Sequence, residues 1–118
     1  MESLEGAASE YSNGRYNNCA NRCYFAAFEA AIHALETADI QARAGQWGHD
    51  FVQAQFIGQL INRRKRYPAG LRDTLLRNLE LRQTADYRRQ QVSQTQAERA
   101  LRRANAFVAA IEQGGEVG

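Results

Sequence analysis

The sequence predicts an all-α fold, an up-and-down helical bundle of four to five helices forming one domain over residues 1–118. Three observations carry this. Apolar residues recur at helical spacing along nearly the whole chain. No segment shows sustained period-two alternation rich in β-branched residues. Turn-forming residues are confined to a few places: Gly14, Gly45 with Gly48, Pro68 with Gly70, and the tail "QGGEVG". The connections left between helices are short, which favours antiparallel neighbours.

Residues 3–12 predict a short first helix with Leu4, Ala7, Ala8 and Tyr11 on one side. "SNGRYNN" is turn chemistry, since Asn-Gly accepts a positive φ at little cost. The second helix is expected from about Asn17 to Asp39. Its large apolar residues Tyr24, Phe25, Phe28, Ile32 and Leu35 form one stripe, and Cys19, Cys23, Ala27, Ala30, Ala31 and Ala34 form a neighbouring stripe of small ones. Only a narrow arc with Arg22, Glu29, His33 and Glu36 stays polar. A helix apolar around so much of its circumference is central. "ARAGQWGHD" reads as a loop, and a third helix starts near His49 or Asp50 with Val52, Phe56, Ile57 and Leu60 inward. "NRRKRYP" ends it: basic residues meet the negative end of the helix dipole, and Pro68 prevents continuation. The fourth helix is expected over about Ala69 to Arg89. "VSQTQAERALRRANAFVAAIEQGG" gives a fifth, with Ser93–Gln96 and Thr95–Glu98 both fitting a capping box and Gly114 and Gly115 ending it.

A chain of 118 residues can build a core without staples. Its 44% hydrophobic and 24% charged residues are those of a soluble globular protein. No apolar run approaches the roughly 20 residues that a membrane helix needs, so no membrane partner is expected. The N-terminal "MESLEGAASE" is acidic and lacks the apolar core of a secretory signal, so a cytoplasmic protein is expected. Cys19 and Cys23, four apart on a helix, project side by side and read as small core residues rather than a disulfide. With two cysteines and two histidines, no zinc site, metal or cofactor is expected. The net charge of +2 hides an asymmetry: residues 1–59 carry −4, residues 60–118 carry +6, and all bases but Lys65 are arginines. A basic second half is a surface for phosphates or a set of solvated helix faces.

The stretch "LRQTADY" poses the sharpest question. At about 100° per residue, Arg82 and Asp86 fall in the same arc as Leu71, Leu75 and Leu79. Asn21 falls in the large apolar stripe of the second helix and needs a partner if buried. The expectation is a polar cluster of Asn21, Arg22, Arg82 and Asp86, with Arg82 mostly buried and bonded to Asp86, Asn21 or both. His33 reads as a surface residue. His49 lies in the middle of the third helix's apolar arc beside Trp47, either capped in the core or lining a groove.

Four segments resemble the HEPN domain family. "GRYNNCANRCYFAAFEAAIHAL" looks like its core signature, G-x-Y-x-x-A-x-N-R-x-Y-Y-A-x-F-x-A. "GHDFVQAQF" resembles its histidine-led third helix. "LLRNLELRQTADYRRQ" and "VSQTQAERALRRANAFVAAI" resemble the last two helices of one branch of small bacterial and archaeal HEPN proteins, which carries an L-R-x-x-A-D-Y segment. The matching core is about residues 13–112, and the first helix is shorter than usual. The resemblance implies a helical bundle, a homodimer, and a minimal nucleotidyltransferase partner in toxin–antitoxin modules. Many members are metal-independent ribonucleases whose motif is an Arg followed after four to six residues by a His, often with a Tyr beyond it.

Here Arg82 matches the arginine, but Asp86 and Tyr87 stand where the histidine would fall, and no histidine follows residue 49. An ionised carboxylate repels phosphate, and tyrosine is a poor base at pH 7, so the usual acid–base group is missing. The first reading is therefore a HEPN protein that binds RNA or nucleotide beside a nucleotidyltransferase, with weak or no nuclease activity. The alternatives are an active ribonuclease using Arg82 with His49 or Tyr87, and a structural homodimeric subunit.

Overall fold

The computed structural model describes residues 2–87 and 91–114, with side chains described for residues 4–85 and 91–114. Five α-helices account for most of them: α1 (Glu2–Ser12), α2 (Tyr16–Thr37), α3 (His49–Gln55), α4 (Thr74–Tyr87) and α5 (Gln94–Glu112). No strand occurs among the described residues. None of their helices is long and apolar enough to cross a membrane.

α1 and α2 meet at the predicted Asn-Gly turn. Gly14 takes φ +74°, the left-handed region open to glycine without a Cβ penalty. The Asn13 amide donates to the Ser9 carbonyl at 2.9 Å, and the Arg15 N–H to the Glu10 carbonyl at 2.8 Å. α2 is central, as its apolar circumference predicts: it packs on α1, α3, α4 and α5.

The two apolar stripes of α2 are buried to different depths. The stripe of small residues is the true core face: Cys19, Ala20, Cys23, Ala26, Ala27, Ala30 and Ala31 have no exposed surface. In the large stripe Tyr24 and Leu35 are buried, Phe28 and Ile32 half-buried, and Phe25 is 40% exposed. Small side chains admit neighbouring helices closely, so the bundle closes on that face and leaves the large stripe at its edge. Cys19 and Cys23 are free thiols with Sγ atoms 3.9 Å apart. The hydrogen bond with Cys19 and then burial hold the Cys23 thiol protonated, well above the usual thiol range.

α3 does not continue as one regular helix. From Phe56 to Arg63 the chain winds as a π-helix, and the Arg64 N–H reaches back five residues to the Gln59 carbonyl at 2.9 Å. The wider turn lets consecutive residues Leu60 and Ile61 both be buried beside Val52 and Phe56. The basic run ends this helix as expected, with Arg63 in the last turn and Arg64 at the C-cap, and Arg64 Nη1 also donates to the Ala38 carbonyl at the end of α2, at 3.1 Å. Tyr67 then folds back and stacks on Phe56 at 5.3 Å, and Phe56 meets Phe107 of α5 at 5.0 Å.

The fourth helix starts later than expected. Ala69–Leu71 form a 3₁₀ turn after Pro68, closed by Leu71 N–H to Pro68 C=O at 3.1 Å. The α-helix begins only at Thr74, because the proline and Gly70 favour the tighter turn over a regular first turn. The expected end at Arg89 lies outside the described residues. Leu71, Leu75 and Leu79 are buried as predicted. At α5 the Ser93 hydroxyl accepts from the Gln96 N–H at 3.1 Å and Gln96 Oε1 accepts from the Ser93 N–H at 2.9 Å. That completes the first of the two predicted capping boxes. Gly114, with φ +72°, follows the end of α5; Gly115 is outside the described residues.

Candidate functional site

α4 carries polar groups on two sides, and the bundle treats them differently. On the side facing α2, Arg82 continues the arc of Leu75 and Leu79 and is half-buried. Its guanidinium carbon lies 4.8 Å from the ring centre of Phe25 and 5.4 Å from that of Tyr24. Tyr24 is edge-on to Phe25 at 5.5 Å and stacked with Phe28 at 5.6 Å, so α2 presents an aromatic row beneath the cation. The negative ring faces attract the guanidinium. An arginine among apolar residues is thus accommodated by aromatic faces.

The expected bond from Asn21 to Arg82 is not formed. Asn21 Oδ1 is buried and accepts no hydrogen bond among the described residues. An Asn can receive an arginine N–H only through that oxygen. The Asp86 side chain, the other expected partner, lies outside the described residues, as does that of Tyr87. Arg22 Nε stands 4.0 Å from Glu10 Oε1 and packs across Gly6, where a Cβ would meet its Nη1 at 2.6 Å. Asn18, Asn21, Arg22, Phe25 and Glu29 line an open groove of about 430 Å³. Phe25 therefore links the groove that holds Asn21 and Arg22 to the ring row that holds Arg82.

His49 does not fit the picture of a core residue. It is the first residue of α3, half-exposed, and its Nε2 lies 3.4 Å from Asp50 Oδ1. It precedes the first buried residue, Val52, so its helical angle lacks a neighbour to cover it. His33 is exposed, as expected. Burial, offset by Arg82, raises the pKa of Tyr24, and Asp50 adds to the rise. Tyr24 is therefore even less ionised near neutrality than an ordinary tyrosine.

The side of α4 facing α5 was not singled out by sequence reasoning. Asn78 and Thr74 are buried there. Asn78 Oδ1 accepts from Arg103 Nε at 2.9 Å, and its Nδ2 donates to the Ala100 carbonyl at 3.5 Å. A signal existed: one amide inside "LLRNLEL", between Leu75 and Leu81 on the helical wheel.

A family model of the HEPN domain matches residues 1–114, nearly the whole chain. The chain belongs to the HEPN domain family. No curated protein and no solved structure matches it. Membership in the HEPN family fits a ribonuclease or a nucleotide-binding role. In this HEPN domain the described groups in contact with Arg82 are aromatic rings. These rings hold the guanidinium against α2.

Proposed function

We propose that this HEPN domain works as a homodimer that binds RNA or a nucleotide, beside a minimal nucleotidyltransferase partner in a toxin–antitoxin or defence-type module. Its own ribonuclease activity is weak or absent. The observation that carries the reading is Arg82, held over Tyr24 and Phe25 at an open face, with Asp86 and Tyr87 in the sequence places of the motif histidine. The charge that could grip a phosphate is there, and the proton-transfer group is not. That group is worth typically 10²–10⁴-fold in rate.

Homodimer formation is supported by the exposed Phe25 and by the buried, unbonded Asn21 Oδ1, both on the rim of the large stripe of α2. A second subunit covering that rim would bury the ring and could supply a donor to the amide oxygen.

The test is a cleavage assay on mixed RNA without metal, using wild type, Arg82→Ala and His49→Ala. Little cleavage by any of the three supports the proposal. Efficient wild-type cleavage abolished by both substitutions would establish a ribonuclease using Arg82 with an unusual histidine. A short neighbouring reading frame with a Gly-Ser and paired-Asp nucleotidyltransferase motif would support the module.

A further inference from the structure

Three arginines converge on the groove between α4 and α5. Arg77 comes from α4, Arg99 and Arg103 from α5, and the remaining lining is mostly polar, with Glu80, Thr84 and Gln96. The groove holds about 240 Å³, the space of roughly eight waters at about 30 Å³ each. That is room for a phosphate group and its ester atoms.

The charges in this groove are unbalanced. Arg77 has one carboxylate nearby, Asp73, at 3.9 Å. Arg99 and Arg103 form no ion pair among the described residues. Burial first, then the charge of Arg77 and more weakly that of Arg99, push Arg103 below the usual guanidinium value, against an opposing effect of Cys23. Glu80 is the single carboxylate among the described residues that line the groove. By contrast Arg102, one position from Arg103, is exposed and paired with Glu98 at 2.7 Å.

Arg103 is also fixed in place. The fully buried Asn78 takes its Nε, and the Ala100 carbonyl holds the amide of Asn78 in turn. A guanidinium so anchored has lost its rotamer freedom before any ligand arrives, which lowers the entropic cost of binding. Gln96 lies in the first turn of α5, where the helix dipole is positive. An anion in the groove would meet two or three guanidinium groups and relieve their mutual repulsion.

We infer that the α4–α5 groove is a phosphate-binding site, with Arg99 and Arg103 as its main ligands and Arg77 at its edge. It takes phosphate groups, either the phosphodiesters of RNA or the phosphates of a small nucleotide. It is separate from Arg82, which faces α2. The inference deepens the ligand-binding part of the proposed function and rests on that part alone.

The experiment titrates the full chain with inorganic pyrophosphate and, separately, with a short single-stranded oligoribonucleotide in metal-free buffer. Backbone amide shifts and affinities are read by NMR. Arg99→Glu reverses an exposed charge in the groove; Arg102→Glu makes the same change of net charge outside it. Amides of residues 77–84 and 96–103 should shift, and Arg99→Glu should weaken pyrophosphate binding by roughly tenfold or more, the scale of one lost charged hydrogen bond. Arg102→Glu should change it by less than about threefold, the exposed-pair scale. Binding of both probes at the groove points to an RNA backbone, and binding of pyrophosphate alone to a small phosphorylated ligand; either supports the site. Equal loss in the two variants, or no shift at the groove, would overturn it. If RNA binds but neither probe responds to Arg99→Glu, the groove is refuted while the proposed RNA-binding role stands. If pyrophosphate binds the groove and RNA binds nowhere, the groove stands and the RNA part of that role falls.

Discussion

Arg82 on α4 and Arg103 on α5 are both half-buried arginines, yet their described partners differ in kind. Arg103 is clamped by a hydrogen bond to an amide with no exposed surface. Arg82 rests on the faces of Tyr24 and Phe25, and Phe25 is itself exposed. The α5 side is completed within one subunit, because α5 brings the donor that Asn78 needs. The α2 side is left with a part-covered ring and a buried amide oxygen without a bond. The difference teaches that a polar group inside an apolar arc is structural where its own helix bundle satisfies it, and points outward where it does not.

If that contrast is right, Asn78→Leu should have the largest effect. It removes both bonds of the amide and leaves the Arg103 guanidinium part-buried without its acceptor. A loss of about 2 kcal/mol is expected, from the roughly 1–3 kcal/mol cost of an unmet buried group, measured by urea unfolding. A loss below about 0.5 kcal/mol, the range of surface changes, would dissolve the distinction.

Arg82→Ala should cost less, about 1 kcal/mol, the middle of the cation–π range. Arg82→Lys should retain part of this, since an ammonium also sits on a ring face but without stacking. Equal losses for Asn78→Leu and Arg82→Ala would break the comparison.

Alkaline pH sharpens it from another direction. Burial raises the pKa of Tyr24 and of Tyr67. The unfolded chain then loses these phenolic protons first, so stability is full below about pH 10, the unfolded value. It falls as pH rises through the higher folded values. Tyr24→Phe should flatten part of that fall, as followed by melting temperature against pH. An unchanged slope would mean that Tyr24 ionises freely.

The smallest effect belongs to Gly6. Gly6→Ala in α1 gains up to about 1 kcal/mol of helix propensity and obliges only the mobile tip of Arg22 to move. A slight rise in melting temperature is expected; a clear fall would mean that Arg22 is locked across α1.

The bundle was legible because its signals are local. Helical spacing, Asn-Gly at the first turn, Pro68 and the Ser93 capping box each specify a boundary without reference to distant residues. The core face of α2 was less so: large and small stripes both looked buried, and only the approach of neighbouring helices decides for Cys19, Cys23 and the alanines. The π-helical turn has no sequence signature in "FIGQLINR"; it arises from packing of Leu60 and Ile61 together. At the site, the apolar arc correctly drew attention to Arg82, but a helical wheel assigns angles and not partners. It suggested Asn21 and Asp86: Asn21 makes no such bond, Tyr24 and Phe25 lie by the guanidinium, and the Asp86 side chain lies outside the described residues. The Asn78–Arg103 pair joins residues 25 apart in sequence, which no single-helix pattern can reveal.

The open α2 face is the central claim, and the mass of the protein in solution tests it most directly. Light scattering at micromolar concentration should give twice the 13.3 kDa chain mass for the wild type. Phe25→Asp, at a ring that is already 40% exposed, should return a folded species of 13.3 kDa. A wild type found only at 13.3 kDa would contradict the account, and so would a Phe25→Asp variant that stays a dimer.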